Sequence, residues 1–194
     1  MKRIYSIILL MILVGWVSFT YSQQQNQPVF TKVPVVNGKV VFQQFIHVEQ
    51  EMSTIQQYAL LNKWGKENYA NNPKLSSIRF DEKNQSVTVS SKTELLLTEN
   101  SQKVNEKISM NYRFDASITN AGCVLVFRDI TFQDDRNKSN SFFPVTYSAE
   151  EMITDEAINM QSDSQELKKN LRRAALSFFD QIYLSLSLNF QKKN

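Results

Sequence analysis

The sequence predicts an α+β fold, an antiparallel β-sheet with two helices on one face and an added N-terminal hairpin strand. Three observations carry the prediction. Ile108, Met110, Tyr112, Phe114, Ala116 and Ile118 alternate with Ser109, Asn111, Arg113, Asp115 and Ser117, a period of two that puts one set on each face of a half-buried strand. A slip by one residue would drive Arg113 and Asp115 into the core, so the pattern fixes the pairing. The apolar period becomes helical over 51–71 and again after Ser162. Short apolar runs over 75–132 are separated by turn residues, as in a meander of four antiparallel strands.

The elements follow in chain order. Residues 29–36 read as a short edge strand, where Pro34 is tolerated because an edge needs fewer donors. Asn37-Gly38 is a two-residue hairpin turn that needs positive φ. The returning strand, 39–48, puts Val40, Phe42, Ile46 and Val48 on one face and Val41, Gln43, Phe45 and His47 on the other. On the first helix Tyr58, Leu61, Gly65 and Tyr69 form a stripe with Ile55 and Trp64 at its margins. Gly65 costs about 1 kcal/mol of helix propensity relative to alanine, which close approach to the sheet would offset. Pro73 stops the helix.

Strands over 75–80 and 86–98 follow, the second with Val87, Val89, Leu95 and Leu97 inward by parity. Asn120-Ala121-Gly122 turns the central strand into the strand 123–132. The segment 133–163 is the least regular, with a polar tip over 134–141 and an apolar run at 142–147. Ser148 with Glu151 is a capping box for a short helix reaching about Ile158, and Ser162 with Gln165 signals the last helix. Leu167, Leu171, Ala175, Phe178, Ile182 and Leu186 form its stripe, so it packs lengthwise on the sheet. Lys168, Lys169, Arg172 and Arg173 lie mostly off that stripe and read as a solvated face.

Met1-Lys2-Arg3, the apolar run 4–17, and Thr20 and Ser22 at small-residue positions make the pattern of a secretory signal peptide cleaved after Ser22. The run is short for a bilayer span and gives way at once to glutamines, so no stable membrane span is expected after cleavage. The chain thus divides into a signal peptide (1–22), a polar linker (23–28) and a single α+β domain (29–194), exported to the periplasm or beyond. The 194 residues carry 22 Lys+Arg against 19 Asp+Glu, a formal charge of +3. Without Lys2 and Arg3 the balance is 20 against 19. Charge therefore gives a nucleic-acid partner no support.

The chemistry-bearing residues are sparse. Cys123, the only cysteine, excludes an internal disulfide and reads as a buried structural thiol within the apolar run 123–127. His47 is the only histidine, and spacing supplies neither the nucleophile nor the acid that a triad needs. No phosphate loop, serine elbow or helical histidine pair is present. Asp135, Asn137 and Ser139 have the opening spacing of a calcium loop, but Asn140 and Thr146 replace its glycine and its bidentate glutamate. No catalytic, cofactor-binding or metal residue is assigned, and no cofactor is expected.

The second face of the sheet is the candidate interaction face. By parity Val41, Phe45, Leu96, Leu125 and Phe127 point there, alongside His47, Arg113 and Asp115. An uncovered group of large apolar side chains usually marks a contact. Either the chain's own 142–147 segment covers it, or a partner or second copy does. A bulge in the strand 123–132 would shift this parity.

Several stretches together resemble one family. They are Val33-Pro34-Val35-Val36-Asn37-Gly38-Lys39-Val40-Val41-Phe42, the helix with Tyr58 and Trp64, Ala149-Glu150-Glu151-Met152-Ile153-Thr154-Asp155-Glu156, and Leu171-Arg172-Arg173. The family is a set of secreted bacterial proteins described as a domain of unknown function with a TATA-binding-protein-like fold. The resemblance spans most of the chain after the signal peptide and implies the order β-α-β-β-β-β-α. It transfers no catalytic residues, and its fold name does not imply DNA binding. The expected function is a non-enzymatic binding or interaction module of the bacterial cell envelope. Its partner would be an envelope protein, a small ligand or a second copy. The alternative is a small hydrophobic-ligand carrier, against which bulky Trp64, Tyr112, Phe114 and Phe178 argue for a filled core. A hydrolase built on His47 ranks third.

Overall fold

The computed structural model describes residues 27–48, 52–97, 106–134 and 145–191. The signal-peptide reading and the calcium-like triplet lie outside these residues. Strands β1 (Val35–Val36) and β2 (Lys39–Val40) form the N-terminal hairpin. Asn37 and Gly38 both take positive φ, 51° and 74°, as a two-residue turn matched to strand twist requires. Only Val35 and Val36 of the predicted edge strand are extended in a ladder. Upstream, Phe30 and Val33 bury their side chains, and the Val29 and Phe30 amides donate to Asp180 Oδ1 at 2.8 and 3.0 Å. A carboxylate thus takes the place of a neighbouring strand.

The remaining elements are β3 (Phe42–His47), α1 (Thr54–Gly65), β4 (Ser76–Asp81), β5 (Ser86–Leu97), β6 (Glu106–Thr119), β7 (Gly122–Asp134), β8 (Val145–Ser148), α2 (Ala149–Met152), α3 (Asp155–Asn159) and α4 (Gln165–Gln191). The large sheet runs β3-β7-β6-β5-β4, with every pair antiparallel. Strand β8 pairs with 131–134 of β7 and β3 pairs with 122–127, so the two lie end to end along one edge. Of the run expected to cover the second face, Val145 to Tyr147 are paired along the edge of the sheet. Phe142 to Pro144 lie outside the described residues.

Local chemistry explains the helix boundaries. Ser53 and Gln56 close a reciprocal capping box on α1, satisfying donors that would otherwise be orphaned. The helix continues as a π-helical turn, Lys66–Ala70, which carries Tyr69 into the core. A Cβ on Gly65 would lie 3.0 Å from Ile78 Cδ1 and 3.3 Å from Phe80 Cε1, so the glycine gives the helix a close approach to the sheet that a side chain would have to push back by a few tenths of an ångström. Ser148 and Glu151 cap α2 as expected. The short helix then breaks at Ile153 and restarts as α3, with Thr154 Oγ1 accepting from the Ala157 amide. The second expected box is not the one formed, because the Gln165 side chain donates to the Ile158 carbonyl at 3.0 Å.

Helices α1 and α4 lie on one face of the sheet, tied together by Trp64 Nε1 donating to Ser185 Oγ at 3.0 Å. Phe42, Phe114, Phe127 and Phe179 are fully buried between sheet and helix. Phe30 closes this cluster from the N-terminal arm, its ring edge-on to Phe42 and Phe127 at 5.6 and 5.8 Å. Each fully buried ring contributes about 1.5–3 kcal/mol. The core is filled by aromatics, as the bulky residues predicted.

A bulge in β7 corrects the expected parity. Arg113 pairs with Arg128, but Asn111 pairs with Thr131, so β7 carries one extra residue there. Asp129 absorbs it with φ 54°. Ile130 and Phe132 are buried beyond the bulge, while Cys123, Leu125 and Phe127 are buried before it. Leu125 and Phe127 therefore point at the helices and leave the candidate interaction face.

Candidate functional site on the open face of the sheet

With the helices on one side, the alternation of β4 to β7 presents a largely polar opposite face. One row across it is Gln43, Val126, Asp115, Thr88 and Arg79, and the next is Arg128, Arg113, Ser90 and Ser77. Arg113 and Arg128 stand directly opposite each other, a destabilising pair of like charges. Asp115 relieves it. Its Oδ2 accepts from Arg128 Nε at 2.8 Å. Its Oδ1 accepts from Thr88 Oγ1 at 2.7 Å and from Arg113 Nη2 at 3.4 Å. Partial burial works to raise this carboxyl. The bonds from Thr88 and Arg128 and the charges of both arginines outweigh it, holding Asp115 below the usual carboxylate range.

The sharing is unequal. Arg128 has the short bond, and Arg113 has only the long one, with its Nε buried and without an acceptor among the described residues. Beside it a groove of about 480 Å³ crosses the sheet to the turn before β4. Ser77, Ser90, Lys92, Asn111, Arg113 and Asp129 line it. The β7 bulge sits at its end, and bulges bend a strand and increase its local twist.

The eight predicted face residues are not brought together. Phe45 and His47 sit on edge strand β3, exposed, with rings 6.3 Å apart. Leu96, 60% exposed, projects from the far end of β5. Phe45 shares a row with Ser86, so Leu96 lies ten residues away along β5, roughly 33 Å at strand rise. Val41 is half-buried in the link between β2 and β3. Only Arg113 and Asp115 form part of a cluster, and they form it with Thr88 and Arg128, which the sequence reading missed. The signal was present in the unbroken polar set Thr88, Ser90, Lys92 and Glu94 on alternate positions of β5.

His47 and Cys123 do not form a catalytic pair. Ile46 is the cross-strand partner of Cys123, and His47 is that of Gly122, so the imidazole and the thiol are on opposite faces of the sheet. Burial pushes the thiol up to about 12. No group of His, Cys, Asp and Glu suited to a metal occurs among the described residues, and no described helix is long and apolar enough to cross a membrane. On the helix side a notch of about 250 Å³ lies among Ile108, Phe132, Tyr147, Met152 and Leu167.

Residues 42–133, from the start of β3 almost to the end of β7, match a family described as a domain of unknown function (DUF4468) with TBP-like fold. The crystal structure of a TBP-like protein from Parabacteroides distasonis is similar at a TM-score of 0.71 and 23% identity, over 84% of this chain and 99% of that one. A DUF4468 family protein from Bacteroides ovatus is similar at a TM-score of 0.67 and 22% identity, over 88% of this chain and 97% of that one. At these identities the likeness is one of fold. No curated protein matches the chain. The matched segment contains Thr88, Arg113, Asp115 and Arg128, whereas the hairpin, β8 and α4 lie outside it.

Proposed function

We propose that the chain is a non-enzymatic binding module exported to the bacterial cell envelope, and that it works through the open face of its sheet. The one-sidedness of the fold supports this reading. Both long helices cover one face, while the other carries a built network of Arg113, Asp115, Arg128 and Thr88 beside a polar groove. Bonded charges at the centre of a sheet face, rather than a loose scatter of polar residues, suit a surface that must hold one shape to be recognised. Nucleic acid is not the proposed partner, because the chain without its signal is close to neutral.

The carrier reading has the helix-side notch in its favour. At about 250 Å³ the notch falls below the roughly 300–1,000 Å³ of small-molecule pockets. Larger hollows of about 740 Å³, between α1 and the β4–β5 turn, and about 480 Å³, between α1 and α4, are open to solvent rather than enclosed by the core.

Ser90→Trp tests the proposal. Ser90 is exposed in the middle of the open face and outside the Asp115 network, so the variant should fold as the parent does. Native mass spectrometry of both proteins, recovered from the envelope of the producing host, should show a bound species on the parent that the variant lacks. A variant that keeps the same bound species would overturn the proposal.

A further inference from the structure

We propose that the groove beside the β7 bulge binds an oxyanion, the carboxylate or phosphate of a small polyhydroxylated ligand, between Arg113 and Lys92. The proposal rests on the reading of the open face as the working surface and adds the chemistry of what it takes. A guanidinium has five donors, and among the described residues Arg113 uses one of them, at 3.4 Å, on a carboxylate already claimed by Arg128 at 2.8 Å. Its side chain is 32% exposed, so the charge is both under-satisfied and reachable. Planar oxyanions complete such a group in a bidentate manner.

Lys92 is the second cation. Lys92 pairs with Asn111, and Arg113 with Ser90. The two cations are therefore diagonal neighbours on one face, about 7–8 Å apart at the backbone and within reach of long side chains. Lys92 Nζ donates to Gln133 Oε1 at 2.9 Å, on the side of Lys92 away from the Arg113 row, and an anion at Arg113 would draw the flexible ammonium back toward it. Lys74 adds a third cation at the groove's far wall. Asp129 is the one carboxylate lining the groove, and Arg128 Nη1 lies 3.5 Å from it.

Around the cations, Ser77 and Ser90 present hydroxyls, and the Asn111 amide donates to Thr131 Oγ1 only at the 3.4 Å limit. Hydroxyls that both donate and accept suit a ligand that is itself rich in hydroxyls. The β7 bulge removes one rung of the ladder at this row.

Titration of the full chain with D-glucuronate, inorganic phosphate and glucose, read by backbone amide shifts, tests this. Glucuronate or phosphate should saturate at about 1 mM or tighter and move the Ser77, Ser90 and Arg113 amides, while glucose moves none. Glucuronate binding without phosphate binding assigns a carboxylate source, and the reverse assigns a phosphate. Arg113→Gln and, as the variant less demanding of the fold, Lys92→Gln should each weaken binding at least about tenfold, the scale of a charge-assisted hydrogen bond. Saturation that both variants leave unchanged, shifts spread over all exposed cations, or no saturation by either anion would overturn the proposal. In that last case the open-face reading would still stand if Ser90→Trp had lost its bound species.

Discussion

Replacing Phe127 with alanine should cost this protein far more than the same change at Phe45, although both rings occupy strands that pair with each other. Phe127 is fully buried. It touches Phe30, Phe114 and Phe179 with ring centroids 5.8, 5.8 and 4.6 Å away. Truncating a packed aromatic of this kind costs about 3–5 kcal/mol, from lost transfer free energy and the cavity left behind. Phe45 is 42% exposed on the opposite face, and its removal should cost under about 1 kcal/mol. For a domain of this size 1 kcal/mol moves Tm by about 2–4 °C. Phe127→Ala should therefore lower Tm by about 6–20 °C and Phe45→Ala by less than about 4 °C. Calorimetry on both variants decides it. Equal losses, or a larger loss at Phe45, would mean that the residues before the bulge do not face the helices.

Three further outcomes follow from the same geometry. Cys123→Ala should cost on the order of 1 kcal/mol, and the native thiol, buried with its ionisation pushed up to about 12, should react with a bulky reagent only as the protein opens; rapid native labelling would contradict this. Asp115 is held below its ordinary range in the fold, so its stabilisation is present above the unfolded value of about 3.9 and is lost as pH falls through the lower folded value. Urea midpoints of Asp115→Asn should therefore fall less than those of the parent between about pH 5 and pH 2, and parallel curves would refute the role given to that carboxylate. Gly122 has φ 147°, and a Cβ there would lie 2.1 Å from the Ile46 carbonyl oxygen, so Gly122→Ala should destabilise by at least about 2 kcal/mol, with a neutral result arguing against the β3–β7 register.

Legibility in the sequence followed physical lines. Where polar and apolar residues alternate strictly, as in β5 and β6, parity placed Val87, Val89, Leu95, Leu97 and Ile108 to Ala116 correctly, because a half-buried strand has no other consistent register. Turn and cap chemistry was equally local and equally readable at Asn37-Gly38 and at Ser148 with Glu151. The run Cys123 to Phe127 is apolar at every position, so alternation carries no information there, and Leu125 and Phe127 were assigned to the wrong face. A usable signal lay one step on. The spacing of three between Phe127 and Ile130, filled by Arg128 and Asp129, is what one inserted residue does to a period of two. The Arg113–Asp115–Arg128 cluster depends on that insertion and on pairing between strands. Neither is written in any local window.

Covalent labelling of surface side chains would test the central claim, that the open face of the sheet is the working surface, most directly. The protein would be labelled once purified and once within the envelope fraction of its producing host. Protection in the host fraction should concentrate at Arg79, Lys92 and Arg113, with the outer helix residues Ile55 and Leu188 unchanged. Protection confined to Ile55 and Leu188, with the open-face cations labelled equally in both samples, would contradict it.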